Sequence, residues 1–497
     1  MTNLPIDPAT RAVLDGGFPL LIGGQFVSGS AGQSATSFDP ATGEKLADFD
    51  LGDASDIDAA VAAAKSAFGG PWRKLQLNER ARLLRALARG IEANAQLLAE
   101  LEVLDNGMPL MLAQMIVGNC AQLFDYYAGW AERIEGTTTE PPPHVQEQGE
   151  ALTYTLKEPV GVVGLIVPWN VPLSMACLKL APSLAAGCTV VLKPAEETPL
   201  SAVVLGRLIG EAGFPDGVVN IVNGRGEEAG TALVAHPDVA KISFTGSTAV
   251  GKSIARECAG SMKKVSLELG GKSPVVVFPD ADLSKAVPGV AMATFFLQGQ
   301  NCMAGTRIFA HRDIYEPLLE GMAAFAENMK LGHGLDPETM QGPLISKRQQ
   351  ERVMGFIADG KNSDARLVTG GTEWDGKGNF VSPTIFADVD PSMRIVREEI
   401  FGPVMAVQPF ETDDLDEIAA LANDSPYGLS GSVWTRDLSI AHRTVSRIRS
   451  GHVSVNCHGA VAANIPFGGY RESGWGREFG REGMELYLET KAVTLAL

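Results

Sequence analysis

Short apolar runs alternate with longer segments of helical spacing along most of this chain. Between residues 160 and 270 the runs VGVVGLIVPW (160–169), CTVVLK (188–193), GVVNIV (217–222), AKISF (240–244) and KVSLEL (264–269) are β-branched and bounded by Gly or Pro. They are too short for buried helices and read as strands. Helical stretches separate them: Pro172 to Leu184 with Gly187 as its stop, 201–213, and Ser247 to Glu257. Strand and helix in regular succession imply right-handed crossovers and a parallel sheet. The segment therefore predicts a doubly wound α/β, Rossmann-like, nucleotide-binding architecture. A second α/β unit begins at PVVVF (274–278) and ends near PFGGYRESG (466–474). Upstream, Leu83, Leu84, Leu87, Ile91 and Leu98 share one face of a helical segment from Asn78 to Asn106, closed by Gly107. Pro141 to Pro143 precede ALTYTL (151–156), which alternates, as does the tail LYLETKAVTLAL (486–497). Both read as an exposed ribbon suited to pairing with another subunit. The expected domains are 1–137 with 160–270, then 271–470, and a ribbon from 138–159 with 471–497.

Composition narrows the class. A chain of 497 residues with 45% hydrophobic content builds more than one core. No apolar run approaches the ~18 residues of a membrane span, and the start, MTNLPIDPATRAVLDGG, lacks a basic region followed by an apolar one. Scattered cysteines without a framework agree with a reducing compartment, so a cytoplasmic protein is expected. A net charge of −18 argues against nucleic acid as a partner. No C-x-x-C occurs and no histidine has ligand spacing, so no metal is expected.

The candidate chemistry sits in FFLQGQNCMAG (295–305). Most cysteines are inert core hydrophobes, and Cys120, Cys177, Cys188, Cys258 and Cys457 fit that expectation. Cys302 differs, because Gln298, Gly299, Gln300 and Asn301 precede it and Gly305 follows. Polar, flexible flanks keep a thiol within reach of a reactant. Glu268 is an isolated carboxylate in an apolar, glycine-bounded run. A soft nucleophile with a buried acid is the equipment for forming and hydrolysing a thioester.

Dinucleotide signals are mixed. Gly224-Arg-Gly226-Glu-Glu-Ala-Gly230 has one residue too many for G-x-G-x-x-G. FTGSTAVG (244–251) joins strand to helix, and Gly246 with Ser247 at a helix N-terminus suits a pyrophosphate, or forms an ordinary βα turn. In KPAEETP (193–199), Lys193 and Glu196 suit a ribose diol. A carboxylate there repels a 2′-phosphate and favours NAD over NADP, unless Glu196 is a solvated helix-start acid.

Seven ordered motifs carry a resemblance over nearly the whole chain: VPWNVPL (167–173), KPAEETP, FTGSTAVG, LELGGKSP (267–274), GQNCMAG (299–305), EEIFGPV (398–404) and PFGGYRESG. The chain resembles the aldehyde dehydrogenase superfamily, of the hydrolytic, NAD(P)-dependent, non-CoA-acylating kind. The resemblance implies an NAD-binding domain, a catalytic domain and a small oligomerisation ribbon, assembled as a homodimer or homotetramer. It implies that Cys302 attacks a small-molecule aldehyde, that Asn170 joins the Cys302 N–H in an oxyanion hole, and that Glu268 activates water. Lys179 resembles a lysine proposed to pass protons, though a plain surface or structural lysine fits as well. For the cofactor it implies Val167, Pro168, Trp169, Lys193, Glu196, Gly226, Phe244, Gly246, Ser247 and Leu269, with Glu399 and Phe401 at the nicotinamide end. Val171, Leu178, Phe296, Asn301, Met303, His458 and Phe467 are expected at a substrate tunnel. Val171 and Leu178 stand where relatives acting on small aldehydes carry aromatics, and CHGAVAAN (457–464) is mostly small. That combination favours a roomy tunnel for aromatic, terpenoid or long-chain aldehydes, unless residues elsewhere restore the bulk. Two rival classes remain: a CoA-acylating dehydrogenase, and a relative that kept the fold and lost catalysis.

Overall fold

The computed structural model describes residues 6–372, 374 and 376–497. Five parallel strands form the centre of one sheet in the order Val219–Ile221, Thr189–Lys193, Val162–Ile166, Lys241–Thr245 and Lys264–Glu268. The chain enters at the middle strand, winds outward on one side, and returns to build the other. The order reverses between Val162–Ile166 and Lys241–Thr245, the place at which doubly wound sheets take ligands beyond their carboxyl ends. Both faces are covered. Val163, Leu165, Val190, Leu192, Val219 and Ile221 pack into one core, while Val162, Val191, Ile242 and Leu267 pack into another. Burial on both faces is why these strands are continuous apolar runs.

The sheet is not purely parallel. Leu20–Ile22 and Gln25–Val27 extend one edge antiparallel, and Gly474–Trp475 closes the other against Leu267 and Glu268. Gly474 and Trp475, grouped with the ribbon by sequence, thus pair with the edge of the first sheet. Gly474 takes φ +115, and its backbone approaches Leu267 so closely that a Cβ would sit 2.0 Å from the Leu267 carbonyl oxygen. That contact draws the segment onto the sheet edge.

The second sheet runs Arg366–Thr369, Thr384–Ala387, Val404–Phe410, Arg307–His311, Pro274–Val277, Ser430–Trp434 and His452–Val455, parallel except for its first pair. A ribbon pairs Ala151–Pro159 antiparallel with Leu488–Ala496, and Thr138–Thr139 flanks the first of these strands. Among the described residues no helix is long and apolar enough to cross a membrane.

One expected helix is two. Leu77–Ala93 and Ala95–Asn106 meet at Asn94, where the amide N–H and Nδ2 both donate to the Gly90 carbonyl, at 3.2 and 2.8 Å. An asparagine side chain competing for backbone acceptors ends the first helix. The expected stops at Gly107 and Gly187 both use left-handed backbone, φ +94 and +97.

Candidate active site

The helix Leu283–Phe295 is followed by three left-handed residues, Leu297 (φ 54), Gln298 (φ 58) and Gly299 (φ 70). For the two non-glycines this costs about 1–3 kcal/mol each and persists only where surroundings hold it. They do: Gln298 Nε2 donates to the Gly107 carbonyl at 3.1 Å, and Ile345 N donates to Gln300 Oε1 at 3.0 Å. The reversal presents Asn301, Cys302 and Met303 half-buried at the rim of the second sheet. Asn301 Oδ1 accepts from Met303 N at 3.1 Å and lies 3.9 Å from Cys302 Sγ. Gly271 is required behind the nucleophile, because a Cβ there would sit 2.3 Å from the Cys302 carbonyl oxygen.

Asn170 arrives from the first domain, on the turn after Val162–Ile166. It is 7% exposed, and its Nδ2 donates to the Gln300 carbonyl at 3.0 Å, which lays the amide against the nucleophile loop. Sequence reasoning missed the residues that hold it. Asn106 Nδ2 donates to the carbonyls of Trp169 (2.8 Å) and Asn170 (3.2 Å), and Glu102 accepts from Leu173 N at 3.2 Å. The available signal was a run of polar side chains, Glu100, Glu102, Asp105 and Asn106, in a helix that is buried there.

Glu268 ends its strand beside these groups, buried, with Oε2 lacking a hydrogen-bond partner among the described residues. Burial pushes its carboxyl well above the usual range, and the neighbouring Glu478 pushes it further. Glu478, also missed by sequence, accepts from Lys179 Nζ at 2.5 Å, and the same Nζ donates to Ser243 Oγ at 3.0 Å. Lys179 is 1% exposed, so the plain surface lysine is excluded. The Cys302 thiol is pushed up by burial, then by Glu399, Glu268 and Glu478.

The residues expected at the cofactor lie at or just beyond the carboxyl ends of the first sheet's strands, apart from Glu399 and Phe401. Lys193 is buried at the end of its strand, and its Nζ lies 3.9 Å from Glu196, whose side chain is largely in solvent. Glu196 Oε2 accepts from Gly226 N at 3.0 Å, tying the glycine-rich turn to the strand end. Ser247 caps the helix Thr248–Gly260 through Val250 N. The Phe244 ring fills the space where a Cβ on Gly246 would lie, at 2.5 Å. Val167 and Leu269 are buried, and half-buried Pro168 precedes Trp169, whose ring meets Phe401 edge-on at 5.2 Å. Phe401 itself takes φ +60. Glu399 Oε1 accepts from Gly271 N at 2.9 Å, and a Cβ on Gly270 would strike its carboxylate at 2.3 Å. Two glycines thus let this carboxylate lie against the backbone one loop away from Cys302.

Of the residues expected at a tunnel, Phe296, Asn301, Met303 and His458 are half-buried, whereas Val171, Leu178 and Phe467 are nearly enclosed. Four of the five cysteines expected to be inert are buried; Cys457 is exposed. It follows Asn456, whose left-handed backbone (φ 52) turns the loop outward.

The model of the family described as "Aldehyde dehydrogenase family" matches residues 26–493. The chain is 46% identical to the phenylacetaldehyde dehydrogenase of Pseudomonas fluorescens, over 96% of this chain and 95% of that one. It is equally close to aldehyde dehydrogenase 1A1 of Ovis aries, at 46% with the same coverages. The NAD+ complex of the Bacillus cereus aldehyde dehydrogenase superposes with a TM-score of 0.96 at 45% identity, covering 99% of both chains. The chain belongs to the aldehyde dehydrogenase family.

Proposed function

We propose that this protein uses NAD to oxidise a bulky hydrophobic aldehyde to the carboxylic acid through a covalent adduct on Cys302. The observation that carries the reading is the convergence of Asn170, Cys302 and the Glu268–Glu478–Lys179 cluster from distant parts of the chain. Cys302 Sγ attacks the carbonyl carbon to give a thiohemiacetal. A thiol made reluctant by burial needs a base, and Glu268, whose carboxyl is made a better proton acceptor by burial and by Glu478, is the group suited to that task. Asn170 Nδ2 and the Cys302 N–H are the donors for the developing oxyanion, and one such donor contributes about 3 kcal/mol. Glu196 and Glu399 would hold NAD, which would supply the hydride acceptor needed to take the adduct to the thioester. Once the thiol's proton has left Glu268, the carboxylate takes a proton from water, the hydroxide adds to the thioester, and the C–S bond breaks to release acid and restore the thiolate. The Glu478–Lys179 pair, touching Ser243, offers that proton a way onward from Glu268.

The strand-end residues fit NAD. Glu196 presents a carboxylate at the strand end, which suits a ribose diol and repels a 2′-phosphate, favouring NAD over NADP. Glu399, held over Gly270 and Gly271, suits the nicotinamide ribose. The named cofactor of the Bacillus cereus relative supports the same reading. Aliphatic Val171 and Leu178, with a small-residue loop at 457–464, support a wide aldehyde, as does the named activity of the Pseudomonas relative. The unpaired edge of Leu488–Ala496 supports a homodimer or homotetramer joined through the ribbon.

The test follows NADH absorbance without CoA over acetaldehyde, benzaldehyde, phenylacetaldehyde, decanal and citral. Higher kcat/KM for the larger aldehydes is expected. A preference for acetaldehyde ends the substrate assignment, and turnover that requires CoA ends the hydrolytic mechanism. Cys302→Ala is expected to abolish turnover, and undiminished activity in that variant overturns the nucleophile.

A further inference from the structure

We propose that His458 is a positioning residue for the nucleophile, and that Trp434 and Ser432 fix the tautomer in which it acts. The proposal rests on Cys302 being that nucleophile. His458 Nε2 lies 2.8 Å from the Met303 carbonyl oxygen, and Nδ1 lies 3.0 Å from Ser432 Oγ. Trp434 Nε1 donates to the same Oγ at 3.3 Å. The polarity of this chain is forced at both ends. An indole N–H can only donate and a carbonyl can only accept. Nε2 must therefore carry the proton that Met303 receives, so Nδ1 is the acceptor and the Ser432 hydroxyl donates to it. In the other neutral tautomer two lone pairs would face each other at 2.8 Å. Burial also holds the ring neutral, with its pKa lowered to about 4.

The surroundings are built for this ring. A Cβ on Gly305 would sit 3.1 Å from His458 Cε1, so the glycine closing the nucleophile loop leaves room for the imidazole. Asn456 is pinned to the neighbouring strand end. Its N donates to Val433 O (2.9 Å), its Nδ2 donates to Thr435 O (2.9 Å), and its Oδ1 accepts from Thr435 N (3.0 Å). The left-handed turn there swings His458 beneath the loop. Met303 is consequently held at both ends, by Asn301 Oδ1 on its N–H and by His458 on its carbonyl. The residue next to the nucleophile has no freedom to tilt, and that fixes the aim of the Cys302 backbone.

Two substitutions in the full-length protein separate positioning from wall lining. His458→Phe keeps the ring volume and removes the donor, whereas His458→Gln keeps an N–H within reach of Met303. For benzaldehyde, His458→Phe is expected to lower kcat by about 10- to 100-fold, the scale of a small misplacement. The rate of Cys302 alkylation by iodoacetamide should fall in step, with KM for NAD unchanged. His458→Gln should recover most of the loss. The idea is overturned if His458→Phe changes only KM for the aldehyde, if kcat stays within about two-fold, or if the Gln variant loses as much as the Phe variant. Should His458→Phe fail to fold, Ser432→Ala decides: a fall in kcat with wild-type KM for NAD supports the relay, and unchanged kcat overturns it. Cys302→Ala, assayed alongside, tests the nucleophile itself. Activity in that variant removes the underlying reading, whereas an inactive Cys302→Ala with an unaffected His458→Phe removes the present inference alone.

Discussion

Cys302 and Glu268 are both pushed towards their protonated forms by the same physics. Desolvation disfavours the thiolate and the carboxylate, and Glu478 adds negative charge beside each. Activity is therefore expected to rise with pH, because each group gains its reactive form as its proton leaves. Glu478→Gln removes one source of the upward push on Glu268, so the acidic limb of kcat/KM against pH should move to lower pH. An unmoved limb would place the controlling proton elsewhere. Asn170→Ala removes one oxyanion donor, and a kcat about 10²–10³ lower is expected in steady-state assays. Lys179→Met leaves the Glu478 carboxylate buried without its cation, for which a loss of about 3–5 kcal/mol is expected in denaturant unfolding. Cys302 and Glu268 stand out in the sequence because each sits in a local motif whose chemistry is carried by its immediate neighbours, whereas Asn170 was pointed to only by the resemblance of VPWNVPL. Glu478 was not, since its partner lies 299 residues away and nothing beside it marks it as buried.

The helix Ala95–Asn106 acts as a bracket for two others. Glu102 accepts from Leu173 N at the start of Pro172–Ala186, and Asp105 accepts from Leu200 N at the start of Leu200–Glu211. Burial raises these carboxyls to about 8 and about 7. Unfolding would return them to ordinary acidity, so between about pH 4.5 and 8 the folded state binds more protons than the unfolded state. Their contribution to stability is complete below the unfolded value and is lost as pH rises through the folded ones. Glu102→Gln, which keeps an acceptor for Leu173 and cannot ionise, should raise Tm at pH 8 and change it little at pH 5. No difference at pH 8 would mean that the Glu102 carboxyl is not raised in the folded state. The strands and most helices of this domain were legible, because their apolar runs reflect burial on both faces. The break at Asn94 and the antiparallel edges were not. A side chain bonding its own turn and a two-residue pairing leave no periodicity to read.

At the scale of the whole molecule, the ribbon is the element with the least support from its own chain. Most of Leu488–Ala496 is exposed and one of its edges is unpaired. Deleting residues 488–497 should lower the oligomeric state in size-exclusion chromatography and leave the two α/β cores folded by circular dichroism. An unchanged assembly would locate the subunit contact elsewhere. The other end of the same segment matters in a different way. The strand bearing Glu268 is sealed by Gly474–Trp475, and the charges that tune it, Arg477 and Glu478, follow at once. In the order of synthesis this stretch follows the thiol at position 302 by about 170 residues. While those residues are being made, the sulfur has no finished base beside it. A chain lacking them is expected to keep its nucleophile and lose the turnover that depends on hydrolysis.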